Sequence, residues 1–160
     1  MKKEELKVNN IVFAQLGEKR KPCLIKDLKS DYVEALFICE NKNEFEDETK
    51  QIPLKNLQPI ELMESTLYAL GLKKDYYVHP HNTCYILTHN GETHLIIVKN
   101  AADVWSAMEL DTQGNISFVP IQLHTLQNLM QNLGCSPTCI NANTFIELTK
   151  PHCVLPFDPK

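Results

Sequence analysis

Apolar and polar residues alternate in short runs over the first third of the chain. The runs are Val8–Ala14, Pro22–Asp27, Tyr32–Cys39 and Thr49–Leu54, parted by Leu16-Gly17-Glu18-Lys19, by Lys29-Ser30-Asp31 and by the acidic stretch Glu40–Glu48. A period of two between turn residues predicts strands. Closely spaced strands within about 50 residues predict a small, strongly bent barrel. Its closing segment is Ile52-Pro53-Leu54-Lys55-Asn56-Leu57, with Pro53 placed where a strand edge or start tolerates it.

The period then changes. Between Pro59 and Gly71, Ile60, Met63, Leu67 and Leu70 recur at the spacing that puts four apolar side chains on one helical stripe. Pro59 suits the first turn and Gly71 the exit, so this stretch predicts a linking helix. Strand patterns return at Cys84–His89, Glu92–Lys99, Val104–Leu110 and Ile116–Ile121. Asn90-Gly91 joins the first two, and both residues accept the positive φ of a tight hairpin turn. Gln122–Leu133 predicts a helix with Leu123, Leu126, Met130 and Leu133 on one face and Gly134 stopping it, and Thr144–Leu148 predicts a strand. The fold class expected is therefore α+β: a barrel-like unit over 1–59, a linking helix over 60–72, and an antiparallel four-stranded meander with a covering helix over 73–160.

Composition narrows the classes of function. The chain has 160 residues, 43% of them apolar and 22% charged, with a formal charge of −4. The longest apolar runs, such as Leu95–Val98 and Ala35–Cys39, are far too short for a transmembrane helix, which predicts a cytoplasmic protein without a membrane partner. Residues 1–59 balance 11 basic against 11 acidic side chains, and 60–160 carry 5 against 9. Arg20 is the single arginine, so the fork geometry that suits phosphates and guanine edges is nearly absent. This weighs against nucleic acid and favours a protein partner; Lys19-Arg20-Lys21 is expected as the solvated tip of a hairpin. The five glycines stand at 17, 71, 91, 114 and 134, so neither a P-loop nor a G-x-G-x-x-G fingerprint exists. No G-x-S-x-G, H-E-x-x-H, kinase-type or deaminase-type string is present either. The leading expectation is a non-enzymatic binding or adaptor module without a cofactor.

Six cysteines, at 23, 39, 84, 135, 139 and 153, are too sparse for a disulfide scaffold and are expected reduced. They open a second expectation, a zinc-holding module or an enzyme built on His and Cys. With Asn90-Gly91 as a two-residue loop, 89 pairs with 92, 88 with 93 and 87 with 94, so His89, Glu92 and His94 share a face on which a divalent ion could sit. A further set combines His79, His81 and Cys84 with Cys135, Cys139, His152 and Cys153, thiolates and imidazoles being ligands of structural zinc. The plain alternatives are polar decoration beside a turn and incidental loop cysteines. Trp105 has core packing as its ordinary explanation and a ligand shelf as its functional one.

Two resemblances follow from these segments. Val12-Phe13-Ala14, Pro22–Ile25, Tyr32–Ile38 and Ile52–Ile60 together resemble a Tudor-type small barrel. That resemblance implies a methyl-lysine or methyl-arginine reader with an aromatic cage. The first loop, 16–22, holds no aromatic residue, which leaves Tyr32, Phe37 and Phe45 as walls. More widely, the chain is similar to a group of short, uncharacterised proteins of Bacteroidetes and their phages. The landmarks are Glu5-Leu6-Lys7-Val8-Asn9-Asn10, the Ile52-Pro53-Leu54 segment leading to a helix that ends in Leu70-Gly71, and His124-Thr125-Leu126-Gln127-Asn128-Leu129. In the helix bearing the last landmark, the leucines are expected to pack on the sheet while His124, Gln127, Asn128 and Gln131 face outward as an interaction surface.

Overall fold

The computed structural model describes residues 1–75, 83–89, 91–135 and 140–150. The fold is mixed α+β, dominated by two sheets, and the chain divides into two units: Met1–Glu61 together with Leu123 onward, and Leu62–Gln122.

In the first unit, β1 (Ile11–Leu16), β2 (Lys19–Leu28), β3 (Tyr32–Leu36), β4 (Lys50–Pro53) and β5 (Leu57–Gln58) form a curled half-barrel in the order β4-β3-β2-β1-β5. The β1–β2 turn has two residues, and Gly17 occupies the first of them at φ +65°, where a side chain would be strained. The curl comes from β2. Its pairing with β3 shifts register between Ile25 and Asp27, so Lys26 is an extra residue that bends the strand. Alternate side chains then point inward: Val12 and Ala14, Cys23 and Ile25, Val33 and Ala35, joined by Phe37, Ile52, Leu57 and Leu6. Burying one Val, Leu or Ile side chain in such a core contributes about 1.5–3 kcal/mol.

Two helices complete this unit, α2 (Leu123–Asn132) and α3 (Ala142–Thr149). α2 packs against β1, burying Leu123, Leu126 and Met130. The meander was expected to hold this helix, but it belongs to the barrel-like unit, so the divide does not follow the 73–160 grouping. α3 replaces the strand expected over Thr144–Leu148. The Asn141 side chain accepts a hydrogen bond from the Thr144 N–H at 2.8 Å, and Phe145, Leu148 and Thr149 are buried at helical spacing.

In the second unit, α1 (Glu64–Ala69) precedes β6 (Lys73–Asp75), β7 (Thr83–His89), β8 (Glu92–Lys99), β9 (Trp105–Leu110) and β10 (Ile116–Pro120). The sheet is five-stranded and antiparallel, in the order β10-β9-β8-β7-β6; the short β6 was not expected. α1 is also shorter than the Pro59–Gly71 reading. The Ile60 carbonyl accepts from the Leu123 N–H at 2.9 Å and is not available to open a helix, so 59–63 is not helical and α1 begins only after an extended Met63. The exit is as expected: Gly71, at φ +92°, donates to the Tyr68 carbonyl and Leu72 to that of Leu67, a Schellman motif. Tyr68 and Tyr85 both donate to the Glu64 carboxylate at 2.7 Å, tying α1 to the sheet. These two phenols, with Lys74 and Lys99 nearby, hold the Glu64 carboxyl below its ordinary range. Among the described residues no helix is long and apolar enough to cross a membrane.

Candidate functional site

A cleft of about 650 Å³ opens in the first unit between the start of β2, the loop after β3 and α3. The loop is built by a short backbone zipper. The Cys39 N–H donates to the Glu44 carbonyl at 2.9 Å, Glu46 donates to Phe37 at 2.8 Å, and Ile38 bridges Phe45. Phe45 then packs edge-on against Phe145 of α3, with ring centroids 5.3 Å apart, so loop and helix are fixed to each other. Phe37, Ile38, Phe145 and Ile146 supply the apolar lining. Lys21, Lys42 and Lys150 stand with Glu40 and Glu147 around it. Lys21 pairs with Glu40 at 3.6 Å, but both side chains are solvated, so the pair adds little stability. The volume lies within the range of small-ligand and side-chain pockets.

Of the aromatic residues expected to wall a cage, two meet this cleft in different ways. Phe37 lines it, with Lys50 Nζ 5.5 Å from the ring centroid, and Phe45 supports it through Phe145. Tyr32 does not join them. Val33, Ala35 and Phe37 are the buried positions of this segment, and Tyr32 has the opposite parity at its far end. No cage forms from these three. Trp105, in the second unit, is buried against Tyr85 with centroids 5.3 Å apart, and Lys99 Nζ lies 5.2 Å from its ring centroid. Its ring is core, as the ordinary explanation holds, and forms no open shelf.

The helix expected to show His124, Gln127, Asn128 and Gln131 to solvent buries the first two and leaves Asn128 and Gln131 half-buried, with all three amides bonded to the chain around β1. Gln127 Oε1 accepts from the Ile11 N–H at 2.8 Å while its Nε2 donates to the Asn9 carbonyl at 2.9 Å. Asn128 Oδ1 accepts from Asn10 Nδ2 at 2.8 Å, and Asn128 Nδ2 donates to the Glu5 carbonyl at 2.9 Å. Gln131 Nε2 reaches the Val8 carbonyl at 3.4 Å, and Lys7 Nζ bonds Asn132 Oδ1 at 3.0 Å. The reason is an accounting one. The Ile11 N–H at the start of β1 is buried and needs a partner, and a side-chain amide supplies an acceptor for it and a donor for a neighbouring carbonyl. His124 is buried beside this latch with neither ring nitrogen hydrogen-bonded.

The metal-ligand arrangement also changes. Pairing runs His89–Glu92 and Thr88–Thr93 as expected, but the next pair is Leu87–Leu95, so His94 is the extra residue of a bulge and the expected 87–94 pairing does not form. Cys135 Sγ lies 3.5 Å from the Leu133 carbonyl oxygen. The side chain of His89, and His79, His81, Cys139, His152 and Cys153, lie outside the described residues. Among the described residues no group of three or more His, Cys, Asp or Glu side chains converges as a metal ion requires. Burial pushes the Cys23 thiol up to about 12 and also raises that of Cys84, with Asp75 adding to the latter, so both behave as small core side chains and not as thiolates.

The α3 side of the cleft escaped the sequence reading because Thr144-Phe145-Ile146 is rich in strand-favouring side chains. The signal that could have found it is Asn141, an N-cap residue three positions before Thr144. Compared with known proteins, the chain matches no family model, no curated protein and no solved structure.

Proposed function

We propose that the protein is a non-enzymatic binding module whose first unit takes an apolar side chain from a segment of a partner protein into the cleft beside Phe37 and Phe145. The observation that carries this reading is the combination of an apolar lining with a charged rim in one opening of about 650 Å³. An apolar pocket supplies affinity, and the rim selects what flanks the inserted side chain. With three lysines against two glutamates, the rim favours a segment with acidic flanks. The same reading takes the curled sheet as a Tudor-type barrel that uses a cleft in place of an aromatic cage, which the strand order and the strongly bent β2 support. It also takes the chain as a cytoplasmic relative of the Bacteroidetes and phage proteins. Two of the stretches that carry that resemblance, 5–10 and 124–129, are bonded to each other in the latch, so their joint occurrence has a physical reason.

The test is panning of a random peptide library on the purified protein, followed by titration of the enriched peptides. Enriched sequences are expected to share an apolar residue with acidic neighbours. Ile146→Asp, at a half-buried position of the lining, should weaken binding about tenfold or more, the equivalent of about 1.4 kcal/mol, with the far-UV circular dichroism unchanged. Peptides that bind equally well to Ile146→Asp, or no enrichment at all, would sink the proposal.

A further inference from the structure

Among the described residues the two sheets present four edges, and three of them carry the usual protection against pairing with another chain. β4 bears the exposed Lys50, β6 bears Lys73 and Lys74, and β5 has only two residues. Charged side chains and very short strands blunt an edge in this way. β10 has neither device. Ile116-Ser117-Phe118-Val119-Pro120 contains no ionisable side chain, and every residue in it is exposed. Ile116 is 57% exposed, Phe118 50% and Val119 40%, and Leu110, paired with Ile116 in the neighbouring strand, is 65% exposed.

The phase of the ladder decides which backbone groups this edge offers. At one end the Ile121 N–H donates to the Trp105 carbonyl at 3.0 Å, and at the other the Asp111 N–H donates to that of Asn115 at 3.0 Å. Hydrogen-bonded pairs of an antiparallel ladder recur at every second residue. The pairs between these ends are therefore Ala107 with Val119 and Glu109 with Ser117, which turns the backbone groups of Ile116, Phe118 and Pro120 outward. Proline sits where its missing N–H removes an outward donor and leaves the β9 ladder intact.

We infer that β10 is a self-association edge, pairing antiparallel with β10 of a second copy of this chain about a twofold axis at Phe118. About that axis the Phe118 N–H meets the Phe118 carbonyl of the other copy, and the Ile116 N–H meets the Pro120 carbonyl, each bond being made twice by the symmetry. The one group that Pro120 cannot serve is the Ile116 carbonyl at the outer end, where water reaches it. The strand is self-complementary: with Phe118 at its centre, its outward groups pair in register with those of its own copy. A twofold axis brings the residue at its centre against its own kind, so any charge there would repel itself, and this strand carries none. The face shared by Leu110, Ile116 and Phe118 would continue into the same face of the other copy. This inference is independent of the cleft, which belongs to the other unit.

Sedimentation velocity on the full chain, over a wide concentration range, tests it. A dimer of the 18.3 kDa chain is expected, in a concentration-dependent equilibrium. Phe118→Lys and Phe118→Glu should each be monomeric, with the dissociation constant raised about tenfold or more, and an equal mixture of the two should dimerise again. The half-exposed position tolerates both changes, and Trp105 fluorescence reports whether the sheet stays folded. A wild-type chain that is monomeric throughout, a ladder of larger species in place of a dimer, or a mixture that fails to recover would each overturn the proposal.

Discussion

His124 sits beside the amides that latch α2 to the entry of β1, and its two ring nitrogens are the buried polar atoms there without a hydrogen bond. A neutral imidazole tolerates this better than a charged one. Burial pushes its pKa below the ordinary 6.5; Glu5 opposes the shift, and the amino terminus of Met1 adds to it. The sign follows from linkage. As pH falls below about 6.5 the unfolded chain takes up a proton that the folded chain resists, so stability present above that value is lost on acidification. Urea unfolding midpoints should therefore fall between pH 7 and pH 5, about the range in which an ordinary imidazole titrates. His124→Phe, which keeps a ring of similar shape without polar atoms, should remove most of this slope and raise stability at pH 5. An equal slope in wild type and variant would assign the acid sensitivity to other groups.

At the scale of elements, local pattern and distant pairing had different weights. Glu92–Lys99 forms at the bounds its alternation predicts, and α2 lies within the predicted Gln122–Leu133, because side-chain period and turn chemistry are local properties. Two of the failures are non-local, whereas α3 was missed on a local conflict between strand-favouring side chains and the Asn141 cap. α1 lost its first turn to a bond between Ile60 and Leu123, and the polar face of α2 found partners more than a hundred positions away, at Asn9 and Ile11. No period in the sequence encodes such a choice, so the cleft, which needs α3 beside the 37–45 loop, was only half legible. α3 depends on one local device as well. Asn141→Ala removes the side-chain acceptor for the Thr144 N–H and should cost about 1 kcal/mol in urea unfolding, and it should weaken peptide binding in the cleft through loss of order at Phe145 and Ile146. Full stability in this variant would show that packing of Phe145 and Leu148 alone holds the helix.

At the scale of the molecule, the second unit is an insertion. The first unit leaves off at Glu61 and resumes at Leu123, and the backbone bond of 2.9 Å between Leu123 and Ile60 shows that these two ends are adjacent. Insertions are tolerated where chain ends lie close, because joining adjacent ends requires little ordering of the connection. The cluster inside the curled sheet draws on Leu6, β1 to β5 and Phe37, and none of its buried members comes from 62–122. Replacing 62–122 by a short Gly/Ser linker from Glu61 to Leu123 should thus give a cooperatively folding protein that keeps the latch and the cleft. It should bind the same peptides as the full chain and, lacking β10, should sediment as a monomer. A collapsed or non-cooperative product would mean that the first unit depends on the insertion. A folded product that still dimerises would move the self-association edge off β10, so one deletion separates the cleft from the dimer.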